Sequence, residues 1–255
     1  MKAITLQEIH QLQLHMLDCI HEYCIANNLR YSLGGGTLLG AIRHKGFIPW
    51  DDDVDIMMPR PDYERFLKGF YGKYEHCVLW DYTHDKHYPN LFAKVYDDRT
   101  ILKASGLTYG VYIDVFPIDG LPAEENAKAY FEEKSRLSWK LCVLGRSWWG
   151  MPWKCKLWWF VTPPLNTVMQ RCNRFLRAYD FETAECTGCA VGKYGIKELM
   201  GKETFKHYIN VEFEGRSYSA IADYDAYLVK HYGDYMQLPP ENKRRTGHRY
   251  ECWWK

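Results

Sequence analysis

Residues 34–55 constrain the fold and chemistry of this chain more than any other segment. They contain a glycine turn, a basic cluster and four aspartates, in the runs GGGTLLG, RHKG and DDDVD. Glycine lets backbone N–H groups approach an anion closely, and cations neutralise phosphate oxygens. Four carboxylates so close together repel one another unless a divalent cation offsets their charge. The segment therefore predicts a metal-dependent phosphate site.

Two of these aspartates, Asp53 and Asp55, are the predicted metal ligands. The run DVDIMM is typical of a strand, in which residues two apart point to the same face of the sheet. Two carboxylates on one face can share Mg²⁺ or Mn²⁺. Asp51 has the same parity but lies beside the Pro49–Trp50 turn, and Asp52 is expected to point away and bond locally. The alternative is a solvated acidic turn, since a D-x-D pattern is short and common.

Asp114 is the candidate third carboxylate. It stands in the run VYIDVF, which alternates β-forming residues around one acid, and a charge inside a strand needs a partner or a metal. The alternative is an ordinary salt bridge at a strand edge. Asp119, which precedes a glycine, is more typical of a turn.

The glycine turn predicts a helix N-terminus that binds phosphate. Gly35 and Gly36 lead into a short helix from Thr37, whose hydroxyl can cap it, and the N–H groups and dipole at that end favour an anion. Arg43 and His44 follow near the end of this helix and are candidates for contact with substrate phosphates, which a guanidinium binds bidentately. The alternative for both is a favourable charge at a helix C-terminus.

Lys94 is the remaining candidate for the site. It lies in the apolar run LFAKVY. Its ammonium group therefore either reaches the surface or faces the phosphate site as a cation.

These motifs are similar to those of the LicD phosphotransferase family. The match runs almost without interruption from Leu33 to Asp55. Further family marks follow in order: FAKV at 92–95, IDVFP at 113–117, KYG at 193–195, FEG at 213–215, YDAYL at 224–228, YGDYM at 232–236 and LPPENKR at 238–244. The resemblance therefore spans nearly the whole chain, with a gap in family marks between about 140 and 180.

The resemblance implies an α/β fold of the α+β kind, with a nucleotidyltransferase-like mixed β-sheet core, flanking helices and a C-terminal helical extension. It implies a catalytic core over 1–120 and a mostly helical part over 121–255 that completes the site, together one integrated domain of about 20–250. The apolar pattern adds a helix over 5–28, a helix beginning at 61 and strands within 75–82, 91–97 and 111–116.

The resemblance also implies a reaction. A phosphocholine or related phospho-alcohol moves from a CDP-activated donor, CDP-choline being favoured, to a hydroxyl of a cell-surface glycan such as lipopolysaccharide, teichoic acid or a capsule precursor, and CMP leaves. Mg²⁺ or Mn²⁺ held by Asp53, Asp55 and Asp114 would neutralise leaving-group charge. Asp114 is the first choice for the base that accepts the attacking hydroxyl's proton, with a pure ligand role as the alternative. The implied substrate contacts are Gly35, Gly36, Thr37, Arg43, His44 and Lys94.

Two other functions stay open at this point. A nucleotidyltransferase of the same superfold attacks the α-phosphate of an NTP and releases pyrophosphate, so the identity of the product separates it from the phosphotransferase. A catalytically inactive binding module keeps the fold for association only. The intact set of charged candidates argues against that module, because a degenerate copy is expected to lose its carboxylates first.

Composition favours a cytoplasmic enzyme and excludes nucleic acid as a partner. The 255 residues carry a net charge of +1 and offer no basic platform with interleaved aromatic residues. The opening residues predict an amphipathic helix and not a signal peptide. The nine cysteines are odd in number and irregularly spaced, which indicates free thiols. Cys186 and Cys189 could supply half of a zinc site, with Cys155 or Cys172 near in sequence.

Residues 148–161, WWGMPWKCKLWWFV, combine tryptophans with lysines. A bilayer span needs ~20 apolar residues, so the segment is too short and too charged to cross a membrane. One hypothesis is peripheral contact with the membrane surface, where a lipid-linked acceptor would lie. The alternatives are an aromatic helical hairpin packed on the core and an aromatic box for the quaternary ammonium of choline.

Overall fold

The computed structural model describes residues 2–104, 107–144, 164–244 and 251–255. The helices in these ranges are α1 (Leu6–Ala26), α2 (Gly35–His44), α3 (Arg60–Phe70), α4 (Glu124–Leu144), α5 (Leu165–Leu176) and α6 (Tyr224–Tyr232). The strands are β1 (Ser32–Leu33), β2 (Asp55–Pro59), β3 (Cys77–Trp80), β4 (Ala93–Asp97), β5 (Thr100–Ala104), β6 (Leu107–Tyr109), β7 (Tyr112–Leu121), β8 (Cys186–Gly188), β9 (Met200–Gly201), β10 (Tyr208–Phe213), β11 (Arg216–Ile221) and β12 (Glu251–Trp254).

The first helix, α1, forms where the sequence predicts it. The hydroxyl of Thr5 accepts a hydrogen bond from the Glu8 backbone N–H, and the Glu8 carboxylate accepts one from the Thr5 N–H at 2.9 Å. This capping box satisfies backbone donors that have no partner inside the helix. Met16 and Leu17 are fully buried and pack α1 into the main hydrophobic core. The predicted helix over 5–28 is confirmed.

The main sheet has the strand order β1-β2-β7-β4-β3, and β8 extends it at the far end of β7, with β9 beside β8. β2 and β7 run parallel, whereas β1–β2, β4–β7 and β3–β4 are antiparallel. α1 and α3 contact β7, and α2 contacts β2. The predicted mixed sheet with flanking helices is confirmed, and β7 is its central strand.

Two smaller sheets lie beside the main one. β10 and β11 form a hairpin whose tip, Glu214 and Gly215, has positive φ at both residues, 51° and 70°. Such a turn matches the natural twist of the two strands. β5 pairs with both β6 and β12. β12 also reaches the beginning of the chain, where Ala3 bridges Trp253.

The described part of residues 121–255 contains strands as well as the predicted helices. α4 and α5 account for the predicted helical pattern, but β8 to β11 and β12 occupy much of the remainder. β10 has exposed residues on both faces, so no strict apolar alternation marks it in the sequence. The main hydrophobic cluster contains residues of both halves, from Ile9 to Cys252.

Asp119 is not the turn residue that its context predicts. β7 continues to Leu121, and Asp119 lies within it at 1% exposure. Arg60 donates hydrogen bonds from Nε and Nη2 to the two carboxylate oxygens of Asp119, at 2.6 and 2.9 Å. The prediction was wrong because β8, which is distant in sequence, pairs with this stretch and extends the strand.

None of the described helices is both long and apolar enough to cross a bilayer. The tryptophan-rich residues 148–161 lie outside the described ranges. Membrane contact, the packed hairpin and the aromatic box therefore all stay predictions for that segment.

Candidate active site

A row of charged side chains crosses the centre of the main sheet. Asp55 of β2 lies beside Asp114 of β7, and Asp114 lies beside Lys94 of β4. Paired residues on neighbouring strands project from the same face of a sheet. Lys94 donates a hydrogen bond from Nζ to Oδ1 of Asp114. Strand register thus brings two of the predicted carboxylates and the predicted lysine together.

The segment before β2 adds further carboxylates to this row. β2 begins only at Asp55, so Asp53 lies just before the strand and not within it. Ligand atoms of Asp51, Asp52 and Asp53 lie within 4.8 Å of one another. The side chain of Gln13 donates a hydrogen bond to the Asp52 carbonyl oxygen at 2.9 Å. This bond from α1 fixes the backbone of the acidic segment.

The carboxylates line one cavity of about 500 Å³, to which Asp51, Asp53, Asp55 and Asp114 all contribute. Burial, followed by the charge of Asp53, raises the pKa of Asp51 to about 7. Burial also raises the pKa of Asp55 well above its usual range, and the charges of Asp53 and Asp114 add to that effect. Both shifts have the sign produced by low solvation and neighbouring negative charge, so the cavity is suited to a cation.

The glycine turn lies directly against these carboxylates. Gly35 begins α2 with φ of +48°, a value that favours glycine. A Cβ atom at Gly35 would lie 3.0 Å from Asp55 Oδ2, and one at Gly36 would lie 2.8 Å from Asp51 Oδ2. Both glycines line the cavity. The absence of side chains therefore leaves the N-terminus of α2 open toward the acidic cluster.

The sequence predicts that Thr37 caps this helix, but it does not. The N-cap residue is Gly34, which has no side chain to cap with, and the Thr37 hydroxyl accepts a hydrogen bond from the Asp55 backbone N–H at 2.9 Å. The prediction was wrong because the chain enters the helix already at Gly35. Thr37 is buried and ties α2 to the first residue of β2.

Arg43 and His44 lie in the last turn of α2, where the sequence places them. Arg43 donates hydrogen bonds to the carbonyl oxygen of Tyr235 at 2.7 Å and to His44 Nε2 at 3.0 Å. Arg43 lines a second cavity, of about 620 Å³, and not the carboxylate cavity. The two cavities adjoin, because Leu39 and Tyr232 line both. Contact of Arg43 or His44 with substrate phosphates stays a prediction.

Residues of the second half complete the carboxylate cavity, and the sequence assigned them no role. They are Val191, Gly192, Lys193, Tyr194, Glu198, Tyr227 and Tyr232. His231 Nε2 lies 3.2 Å from Glu198 Oε2, and Glu198 Oε1 accepts a hydrogen bond from the Tyr194 backbone N–H at 3.3 Å. This buried pair anchors the turn that carries Lys193. The family motifs KYG and YDAYL, at 193–195 and 224–228, were the signal in the sequence that could have assigned these residues to the cavity.

The donor set fits a hard divalent cation. Carboxylate oxygens are the ligands that Mg²⁺ and Mn²⁺ prefer, and the close approach of Asp51 to Asp53 matches ligands that share one ion. Asp53, Asp55 and Asp114 are the predicted set, and Asp51 joins them in the cavity. Asp51 is two residues before Asp53, and this spacing was the signal in the sequence that could have added Asp51 to the predicted ligands.

Cys186 and Cys189 are free, and only Cys186 is partly exposed. Among the described residues neither belongs to a group of three or more potential metal ligands. Cys155, one proposed further ligand, lies outside the described ranges. A zinc site at this pair gains no support within the described ranges.

The chain belongs to the LicD family. A family model described as the LicD/FKTN/FKRP nucleotidyltransferase domain matches residues 28–144. This range contains the glycine turn, the acidic segment, Lys94 and Asp114. The resemblance predicted from the motifs is confirmed.

One relative matches the chain over its full length. The lipopolysaccharide cholinephosphotransferase LicD of Haemophilus influenzae is 34% identical over 279 aligned residues, which cover 99% of each chain. The chain is also similar, over shorter stretches, to two uncharacterized proteins. One, from Rickettsia typhi, is 44% identical over 62 residues, 24% of this chain and 20% of that protein. The other, from Rickettsia prowazekii, is 52% identical over 42 residues, 16% of each chain.

Proposed function

We propose that the protein is a metal-dependent phosphotransferase that moves phosphocholine from CDP-choline to a hydroxyl of a cell-surface glycan, with lipopolysaccharide as the favoured acceptor. The observation that carries the proposal is the convergence of Asp53, Asp55 and Asp114 on one cavity, at the open N-terminus of α2. Support for the substrates comes from the Haemophilus relative, whose name states both phosphocholine transfer and lipopolysaccharide.

The reaction is a displacement at the phosphorus that bears choline. The acceptor oxygen bonds to this phosphorus, the bond from phosphorus to the bridging oxygen breaks, and CMP leaves with the electron pair. A cavity carboxylate accepts the proton of the attacking hydroxyl. The backbone N–H of Gly36 and the dipole of α2 bind diphosphate oxygens, whereas the Gly35 N–H donates a hydrogen bond to the Tyr227 hydroxyl at 3.4 Å. Asp53, Asp55 and Asp114 would hold a divalent cation, which would neutralise charge on the diphosphate and on the leaving CMP.

The contact with Lys94 supports one of the two roles that the sequence left open for Asp114. The ammonium group of Lys94 is hydrogen-bonded to Asp114, and an adjacent cation favours the charged carboxylate. An ionised carboxylate held by a lysine is a better metal ligand than a base. We therefore assign Asp114 to metal binding.

We place this reaction in the cytoplasm. Seven cysteines in the described part of the chain are free, and six of them, all but Cys186, are buried. Free, mostly buried thiols are typical of a reducing compartment.

The test supplies the protein with Mg²⁺, CDP-choline and lipopolysaccharide, and measures released CMP and glycan-bound choline. We expect both products in equal amounts, and neither with EDTA. Asp53→Asn should abolish the reaction, whereas Asp98→Asn, which changes a carboxylate outside the cavity, should leave it intact. Pyrophosphate released from CTP, without CMP from CDP-choline, would indicate a nucleotidyltransferase. No product from either donor would indicate a binding module.

A further inference from the structure

An apolar row lies next to the charged row, on the same face of the main sheet. Met57 follows Asp55 by two residues on β2, Phe116 follows Asp114 by two on β7, and the parallel register pairs Met57 with Phe116. Phe92 directly precedes β4, and its ring centroid lies 4.5 Å from that of Phe116, with the ring planes inclined at 41°. Met57, Phe92 and Phe116 all line the carboxylate cavity.

The two phenylalanines are placed unlike the core residues around them. Ile113 and Val115, which alternate with Phe116 along β7, are fully buried on the opposite face. Phe92 and Phe116 are only half-buried, so part of each ring faces the cavity. Apolar rings that line a concave, charged cavity are typical of a ligand subsite, because the ligand supplies the missing apolar contact.

The charges around this row favour a cationic ligand group. Among the described residues, five carboxylates and one lysine, Lys193, line the cavity. Lys94 is hydrogen-bonded to Asp114 and lies 3.6 Å from the Tyr112 ring centroid, nearer than the 5.4 Å that separates it from Phe92. The nearest partners of the Lys94 ammonium group are therefore Asp114 and Tyr112, and Phe92 is a more distant one.

A quaternary ammonium ion matches this combination. It has no N–H to donate, so aromatic faces and nearby negative charge are what bind it. Two residues along a strand span about 7 Å, which is the distance between the charged row and the apolar row. The two-carbon linker of phosphocholine joins its phosphorus to its nitrogen over a comparable length.

We infer that Phe92, Phe116 and Met57 form the subsite for the trimethylammonium group of the donor. The inference rests on the proposed function and deepens it, because it makes these side chains the reason for choosing choline over a polyol such as glycerol or ribitol. When the phosphorus lies at the carboxylates, the methyl groups lie against the two rings. Met57 closes the base of the subsite with a polarizable sulfur.

The experiment distinguishes recognition of the positive charge of choline from recognition of its shape. Calorimetry with Mg²⁺ compares CDP-choline with the CDP ester of 3,3-dimethylbutanol, which has the same shape with carbon in place of nitrogen, and uses CMP as the reference. We expect the wild-type protein to bind CDP-choline on the order of 10-fold more tightly than the neutral ester. Phe92→Leu and Phe116→Leu should each bring this ratio close to one while the affinity for CMP stays unchanged.

Phe175→Leu is the matched control. Phe175 is also a half-buried phenylalanine, but it lies on α5, stacked on Tyr130 and outside the cavity. This variant should keep the wild-type ratio. An unchanged affinity for CMP also shows that the Phe92 and Phe116 variants are folded.

Two results would overturn the inference and leave the proposed function standing. They are equal binding of both esters by the wild-type protein, and a preference for CDP-choline that survives in both leucine variants. If neither CMP nor any CDP ester binds in the presence of Mg²⁺, the proposed function fails, and the inference fails with it.

Discussion

The central strand β7 carries two carboxylates whose surroundings differ sharply. Asp119 is enclosed with Arg60, and the side chains of this pair are 1% and 9% exposed. Asp114 pairs with Lys94 but opens on a cavity lined by other carboxylates. The two aspartates are five positions apart on the strand, so they lie on opposite faces of the sheet. A buried charge with one dedicated partner serves the fold, whereas a cluster in which carboxylates outnumber cations serves a ligand.

The largest effect is expected at the enclosed pair. Arg60→Met or Asp119→Leu alone leaves one uncompensated buried charge, and each should lower the free energy of unfolding by about 3–5 kcal/mol. The double variant should recover most of this loss, because an apolar pair of similar volume replaces the ions. Urea unfolding measures all three. A loss below about 1 kcal/mol in both single variants would mean that the pair is not structural.

A comparable effect, but on activity, is expected at the acidic row. Asp55→Asn should lower kcat/KM by about 10²–10³-fold, the cost of losing one electrostatic contact to the reacting phosphate. The melting temperature should stay constant or rise, because the change removes a repelling carboxylate from a buried cluster. Thermal melts beside steady-state kinetics test both statements. A large loss of stability would place Asp55 with Asp119 as a structural charge.

Lys94 and Arg60 can be compared directly, because each pairs with an aspartate of β7. Lys94→Met should cost about 1–3 kcal/mol of stability, the range for a lost charged hydrogen bond. Added Mg²⁺ should raise the melting temperature of Lys94→Met, because the ion can compensate Asp114. The same addition should not rescue Arg60→Met, because the carboxylate left without its partner, Asp119, is buried outside the cavity. Equal rescue of both variants would contradict the division between the two pairs.

The smallest effect is expected at Thr37, the link between α2 and the acidic row. Thr37→Val keeps the shape but removes the acceptor for the Asp55 N–H, which should cost about 1 kcal/mol and a few-fold in kcat. Thr37→Ser retains the hydroxyl and serves as the control. Faster hydrogen exchange at the Asp55 amide should accompany the valine variant only. Identical exchange in both variants would show that this bond does not position Asp55.

The parts of the site that could be predicted depend on short-range patterns. Two-residue parity selected Asp53 and Asp55, and one acid in an alternating β run selected Asp114; all three line the cavity, although Asp53 lies just before β2. The sequence also placed Lys94 correctly in a strand, and β4 brings it to Asp114. These predictions needed only the geometry of a strand, which a few neighbouring residues define.

The parts that could not be predicted depend on contacts between distant segments. The sequence predicted Asp119 as a turn residue, but pairing with β8 places it within a strand. It predicted Thr37 as a helix cap, but the hydroxyl of Thr37 bonds to β2 instead. The wall that contains Lys193 and Tyr232 comes from a half of the chain in which the strands lack a clear alternation. No local pattern contains that information, because each contact joins residues from separate parts of the sequence.

The central position of β7 also sets how the site responds to partial unfolding. β7 is hydrogen-bonded to β2 on one side and β4 on the other, so its inner amides are freed only when the sheet itself opens. Amides of that kind exchange with solvent through global unfolding, at the full free energy of the domain. Asp114 therefore keeps its position through any fraying of peripheral strands. Heat should remove activity only as the whole domain melts, and hydrogen exchange should rank this carboxylate's backbone among the slowest in the molecule.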